Sequence, residues 1–152
     1  MDTDVEKFPE IFRTYNAKLR QMQMIDYDDQ MIYALRILEQ YPEVLAHFRE
    51  QYRYFCVDEA QDTSKIQHDM IDLLAAQSRN LFMVGDEDQS IYGFRAAYPQ
   101  ALVSFEDRHP GAGILLMETN YRSRQEIVRA ADTLIQKNKN RHPKKMTAAR
   151  EG

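Results

Sequence analysis

Three short apolar runs, each followed at once by polar residues, restrict the fold of this chain more than any other feature in it. They are YFCV (54–57), LFMV (81–84) and ILLM (114–117). Runs of this length separated by amphipathic stretches are the pattern of buried strands in a parallel sheet with crossover helices, which predicts an α/β fold. After the first run, Ser64 and Gln67 fit a capping box, with Ile66, Met70, Ile71 and Leu74 as the apolar face of the helix behind it. After the third, Ser123 and Glu126 fit a second box, followed by Ile127, Ala130, Ala131 and Leu134.

Residues 5–49 read differently. They are helical throughout: Met31, Ile32, Leu35 and Leu38 make one stripe, and Pro42 breaks the pattern before EVLAHFRE. The chain of 152 residues is about one domain's worth. No apolar run approaches the roughly eighteen residues that would cross a bilayer, so no membrane partner is expected. The acidic start MDTDVEKFPE lacks the basic and apolar parts of a secretory signal, which makes the cytosol the expected compartment. The single cysteine, Cys56, sits inside an apolar run and reads as a buried structural thiol.

Ligands of open parallel sheets collect at the carboxyl ends of the strands, and the unusual residues of this chain lie there. The first run delivers Asp58, Glu59, Gln61 and Asp62. One acid there can hold magnesium and a second can orient or deprotonate water; the same pair can also do no more than favour the positive end of the next helix. The second run leads into GDEDQSIYGFRAA (85–97). Gly85 and Gly93 permit tight backbone geometry, Gln89 can sense a terminal phosphate, and Tyr92, Phe94 and Arg95 offer flat faces and a cation to bases. Equally, this is a loop whose aromatics fold back on the core. The third run leads into ETNYRSRQE (118–126), with Tyr121 able to stack on a base and Arg122 able to reach an anion, or with a capped helix start and a surface arginine. Net charge is -4, yet no acid lies between Asp132 and Glu151, where Lys137, Lys139, Arg141, Lys144, Lys145 and Arg150 crowd together. Such a run is either a solvated tail or a contact for a polyanion.

In this order and spacing, VDEAQDT, VGDEDQSIYGFRAA and NYRS resemble the magnesium-binding, DNA-coupling and cleft motifs of the superfamily 1 DNA helicases of the UvrD, PcrA and Rep group. IDYDDQ (25–30) and NKNRHPKK (138–145) are similar to that group as well, so the resemblance covers most of residues 8–147. It implies a partial RecA-like, P-loop NTPase sheet with flanking helices, preceded by an all-helical segment. It also implies ATP and magnesium as cofactors, single-stranded and duplex DNA as partners, and three-prime to five-prime movement coupled to unwinding. Asp58 is then the magnesium ligand, alone or with Glu59, and Glu59 activates the attacking water. Gln89 contacts the gamma phosphate, Tyr121 stacks on adenine and also borders the nucleotide, and Arg122 acts as an arginine finger. Tyr92, Phe94 and Arg95 face single-stranded DNA. Phe94 stands where many relatives carry tryptophan and gives less stacking area.

The departures are as informative. The phosphate loop G-x-x-x-x-G-K-S/T is absent, since none of Gly85, Gly93, Gly111, Gly113 and Gly152 precedes a lysine. The family's N-terminal glutamine motif and second RecA-like domain have no counterpart either. The chain therefore looks like an internal piece, inactive alone. Residues 1–50 are the end of an insertion subdomain with helices leading to the sheet, 51–136 the back half of the first RecA-like domain, and 137–152 a basic linker. In the family the phosphate-loop strand separates the strands read here at 81–84 and 114–117, so those two are expected to close up directly or to be covered by another chain through dimerisation or swapping. Two other readings stand beside this one: a free-standing nucleic-acid-binding or regulatory module derived from a helicase, and a metal hydrolase using Asp58, Asp62, Asp86 and Asp88.

Overall fold

The computed structural model describes residues 7–91, 93 and 96–150. Three helices come first: α1 (Phe8–Gln21), α2 (Tyr27–Gln40) and α3 (Pro42–Gln51). Asp26 starts α2 by accepting the Asp29 N–H at 2.8 Å, and the Tyr15 hydroxyl of α1 donates to its other oxygen at 3.0 Å. Pro42 stands in the first turn of α3, where its missing N–H costs nothing. The α2 stripe is inward as its spacing predicts, with Leu38 buried and Met31, Ile32 and Leu35 half-buried.

A parallel unit follows. β1 (Phe55–Val57) is joined through α4 (Lys65–Ala75) to β2 (Leu81–Met83), and Phe55, Cys56 and Val57 pair in register with Leu81, Phe82 and Met83. The Ser64–Gln67 capping box forms as read. α2 and α3 pack on α4, and Arg49 of α3 donates twice to the Leu73 carbonyl, at 3.0 and 2.6 Å. Two short helices, α5 (Gln100–Val103) and α6 (Phe105–Arg108), lead to β3 (Thr119–Arg124), α7 (Gln125–Ile135) and β4 (Thr147–Arg150). β3 and β4 make a second parallel pair, with Thr119 beside Thr147 and Asn120 beside Ala148. The protein is thus α/β, with helices around two small parallel sheets.

Four expectations are corrected. ILLM (114–117) is not a strand; β3 starts two residues later, and Leu115 and Met117 are 88% and 82% exposed. The run has no neighbour to pair with, so it and β2 do not close up directly. Ser123 does not cap α7, whose N-cap is Arg124 without a side-chain bond. Asn120 Oδ1 accepts the N–H groups of Arg122 and Ser123 at 2.9 and 2.8 Å, which holds Ser123 in β3. α7 buries Val128 and turns Ile127, Ala130, Ala131 and Leu134 outward. Cys56 is an exposed thiol, because it and its partner Phe82 lie on a sheet face that no described residue covers.

The accessible surface, 12205 Å², is well above the roughly 8,000 Å² that size scaling gives for a compact chain of this mass. Uncovered apolar side chains such as Phe12, Phe82, Leu115 and Met117 carry part of the excess. Among the described residues no helix is long and apolar enough to cross a membrane.

Candidate nucleotide-facing site

β1 and β2 run parallel, so their carboxyl ends come out side by side and bring two polar loops together. The Val84 N–H donates to the Val57 carbonyl at 2.8 Å and the Ala60 N–H to the Val84 carbonyl at 3.0 Å, extending the ladder just past the strands. Beyond it each loop makes a single 3-10 turn, Ala60–Asp62 in one and Glu87–Gln89 in the other.

Glu59 has φ 49° and ψ 42°, a left-handed conformation that a residue with a Cβ adopts only when its surroundings impose it. The surroundings here are specific. Gln61, buried, donates from Nε2 to Glu59 Oε2 at 2.7 Å, and its Oε1 accepts the Asp86 N–H at 3.0 Å. Gly85 makes this approach possible: a Cβ there would lie 2.8 Å from Leu102 Cδ1 and 2.9 Å from Gln61 Oε1. Gly93, in contrast, has no described residue within 4 Å of where a Cβ would stand.

Asp86 passes the connection on. Its Oδ2 accepts from Gln89 Nε2 at 2.8 Å and its Oδ1 from Lys144 Nζ at 2.6 Å. A continuous hydrogen-bonded path therefore runs from Glu59 through Gln61 and Asp86 to Gln89. Burial pushes the Asp86 carboxyl up, but the bonds from Lys144 and Gln89 outweigh it, and its pKa lies below the ordinary aspartate value. Burial lowers Lys144, and Asp86 and Glu87 outweigh that in turn, leaving its pKa raised.

The basic stretch behaves neither as a solvated tail nor as a free polyanion contact at its centre. Arg141 grips Asp88 with two bonds, Nε to Oδ1 at 2.8 Å and Nη2 to Oδ2 at 2.6 Å, and both side chains are about nine-tenths buried. The His142 N–H donates to Glu87 Oε1 at 2.8 Å. Sequence reading missed this partnership: it used Asp86 only in the four-aspartate alternative, placed Arg141 and Lys144 in a solvated tail or polyanion contact, and gave Gln61 no role of its own. Its only trace is the complementary charge of DED and RHPK, more than fifty residues apart.

Asp58 and Glu59 are exposed at the strand end, with Asp58 Oδ1 accepting the Glu59 N–H at 2.9 Å. One or two carboxylates with water and phosphate oxygens satisfy magnesium, so these acids fit the metal; the chain's glycines supply no lysine-bearing phosphate loop. Among the described residues no three His, Cys, Asp or Glu side chains converge on a metal site. Asp86 and Asp88 are taken by Lys144 and Arg141, so the four-aspartate arrangement of a metal hydrolase does not form. Tyr121 and Arg122 stand exposed on β3, in the other sheet, and no hydrogen bond among the described residues joins them to Glu59 or Gln89. Tyr92, Phe94 and Arg95 lie outside the described residues.

Two polar loops thus meet at adjacent ends of parallel strands, one offering carboxylates and the other a glutamine amide. Residues 2–110 match the UvrD/REP helicase N-terminal domain, and the chain belongs to that family. It is 41% identical over 141 residues to the ATP-dependent DNA helicase PcrA of Leuconostoc citreum, an alignment covering 93% of this chain and 19% of that protein. The PcrA helicases of Staphylococcus epidermidis and Staphylococcus aureus are 39% and 40% identical over 142 and 139 residues, which cover 93% and 91% of this chain and 20% and 19% of theirs. The chain thus spans about a fifth of the length of these curated relatives.

Proposed function

We propose that this chain is the water-activating and phosphate-sensing part of an ATP-dependent DNA helicase that moves three-prime to five-prime on single-stranded DNA and unwinds duplex. The observation that carries the reading is the hydrogen-bonded path from Glu59 through Gln61 and Asp86 to Gln89. It joins an acid suited to activating water to an amide suited to sensing a gamma phosphate, at the carboxyl ends of neighbouring parallel strands.

When bound, magnesium and ATP supply the Lewis acid and the phosphoanhydride. Asp58 holds the metal, with Glu59 beside it. Glu59, one oxygen fixed by Gln61, takes the proton of the attacking water. Gln89 donates to the gamma phosphate and reports it. Tyr121 stacks on adenine, and Arg122 stabilises the charge that develops in phosphoryl transfer. Tyr92, Phe94 and Arg95 face single-stranded DNA. The two β pairs belong to a partial RecA-like fold, with residues 1–50 as the helical lead, 51–136 as the back half of the ATPase domain and 137–152 as the link onward, which pairs with β3 through β4.

The chain alone hydrolyses no ATP in this account, because a phosphate loop must come from elsewhere. The uncovered run 114–117 and the open face of β1 and β2 offer surface for the missing strand or for a second copy. A graft tests the reading: this chain replaces the matched 139-residue segment of the Staphylococcus aureus relative. A graft whose magnesium-dependent ATP hydrolysis is stimulated by single-stranded DNA supports it. A graft that melts cooperatively yet hydrolyses nothing, or that does not fold, contradicts it.

A further inference from the structure

The segment from Arg141 to Thr147 is anchored at both ends, one anchor in the loop after β2 and the other at the residue before β3. At one end Arg141 and Lys144 hold Asp88 and Asp86 in the loop after β2, with Lys144 Nζ also 3.4 Å from Glu87 and 3.2 Å from Asp88. At the other, the Lys145 N–H donates to Glu118 Oε1 and the Thr147 N–H to the Glu118 carbonyl, both at 2.8 Å. The strap then becomes β4, which runs beside β3 and its Tyr121 and Arg122.

We propose that Arg141 and Lys144 are positioning residues that set where Gln89 stands relative to Arg122. The inference rests on the roles proposed above for those two residues. Asp86 is the pivot, for one of its oxygens holds the Gln89 amide while the other is held by Lys144. Three consecutive carboxylates, Asp86, Glu87 and Asp88, repel one another at short range unless cations lie among them, and the strap supplies two. Arg141 and Lys144 are about 90% buried in these pairs, so they serve the loop rather than a nucleic acid backbone. A strap that served stability alone has no need to meet the one carboxylate that holds Gln89. Because the segment continues into β4 within three residues, a shift of β3 and β4 is passed to the Gln89 amide through Lys144 and Asp86.

The test is made on this 152-residue chain by nuclear magnetic resonance, with the Gln89 side-chain amide as reporter and the Cys56 and Phe82 backbone amides as the measure of fold. Lys144→Gln is expected to speed exchange of the Gln89 amide protons about tenfold or more, the scale of a lost bond to a charged group, with the Cys56 and Phe82 amides unchanged. Asp86→Asn does the same, and Lys144→Arg keeps the slow exchange. Unchanged Gln89 exchange in Lys144→Gln overturns the proposal, as does a change matched by equal loss of protection at Cys56 and Phe82. In the hydrolysing graft the same variant lowers kcat and leaves KM for ATP within about twofold, as expected where ATP still binds and the placement of Gln89 for phosphoryl transfer is lost. The two readings fail separately: slow Gln89 exchange governed by Lys144 in an inert graft sinks the helicase reading alone. A graft fully active with Lys144→Gln sinks the strap alone.

Discussion

Gln61 holds Glu59 from one end of its amide and the Asp86 backbone from the other, at 2.7 and 3.0 Å. One buried side chain therefore fixes both the direction of an exposed carboxylate and the separation of the two loops that end β1 and β2. Replacing it leaves the Asp86 N–H without an acceptor in a half-buried setting and frees Glu59. Gln61→Ala is expected to lower stability by about 1–3 kcal/mol, read as a fall in the urea midpoint at unchanged slope. An unchanged midpoint would mean that solvent already satisfies these groups.

Gly85 tests the closeness of the loops from the other side. Its missing Cβ would meet Leu102 and Gln61 at under 3 Å, and neither Gln61, held at both ends of its amide, nor the backbone of Ala60 can retreat freely. Gly85→Ala is expected to cost about 1–3 kcal/mol through overpacking, measured by thermal melting. Gly93→Ala, with no described residue within 4 Å of the new Cβ, serves as the comparison and should shift the melting temperature far less.

How far the residues foretold this arrangement depends on how local each signal is. The Ser64–Gln67 box and the α2 stripe were legible because each is decided within one or two turns of helix. Phe55–Val57 and Leu81–Met83 were legible as strands because each finds its partner in the other. Ile114–Met117 has equal apolar content but no strand beside it, and a strand is a property of a pair. Cys56 was misread for a related reason, since an apolar run does not say which of its faces is covered. The bonds from Arg141 and Lys144 to Asp88 and Asp86 join residues 53 and 58 positions apart, beyond any local pattern.

His68 gives the chain an acid-sensitive point. It is fully buried, and its Nε2 lies 3.3 Å from the Ala60 carbonyl, which can only accept; Nδ1 has no partner among the described residues. Burial pushes its pKa below the ordinary 6.5, against the opposing pull of the Ala60 carbonyl. The unfolded chain takes up a proton below about pH 6.5 that the folded chain resists, so stability falls as pH drops from there toward the folded pKa. Urea unfolding at pH 7 and pH 5 should show this decline, and His68→Gln should flatten it whatever its constant cost.

Asp86 and Lys144 respond in the opposite sense at the extremes. The folded pKa of Asp86 lies below the ordinary aspartate value of 3.8, so its contribution is full above that value and is lost as pH falls through the folded pKa. The folded pKa of Lys144 lies above 10.5, so its contribution is full below that value and is lost as pH rises through the folded pKa. Between the two the pair should be insensitive to pH. Hydrogen exchange at Gln89 followed from pH 5 to 8, after correction for intrinsic exchange rates, should therefore show constant protection, and a step within that range would argue against the pairing.

The central claim is that Glu59 activates water under the hold of Gln61, and its most direct test is steady-state ATP hydrolysis by the graft with and without Glu59→Gln. The account predicts a fall in kcat of about a hundredfold or more, the range of a positioned general base, with KM for ATP nearly unchanged and the melting temperature retained. Hydrolysis at an undiminished rate by the Glu59→Gln graft would contradict it.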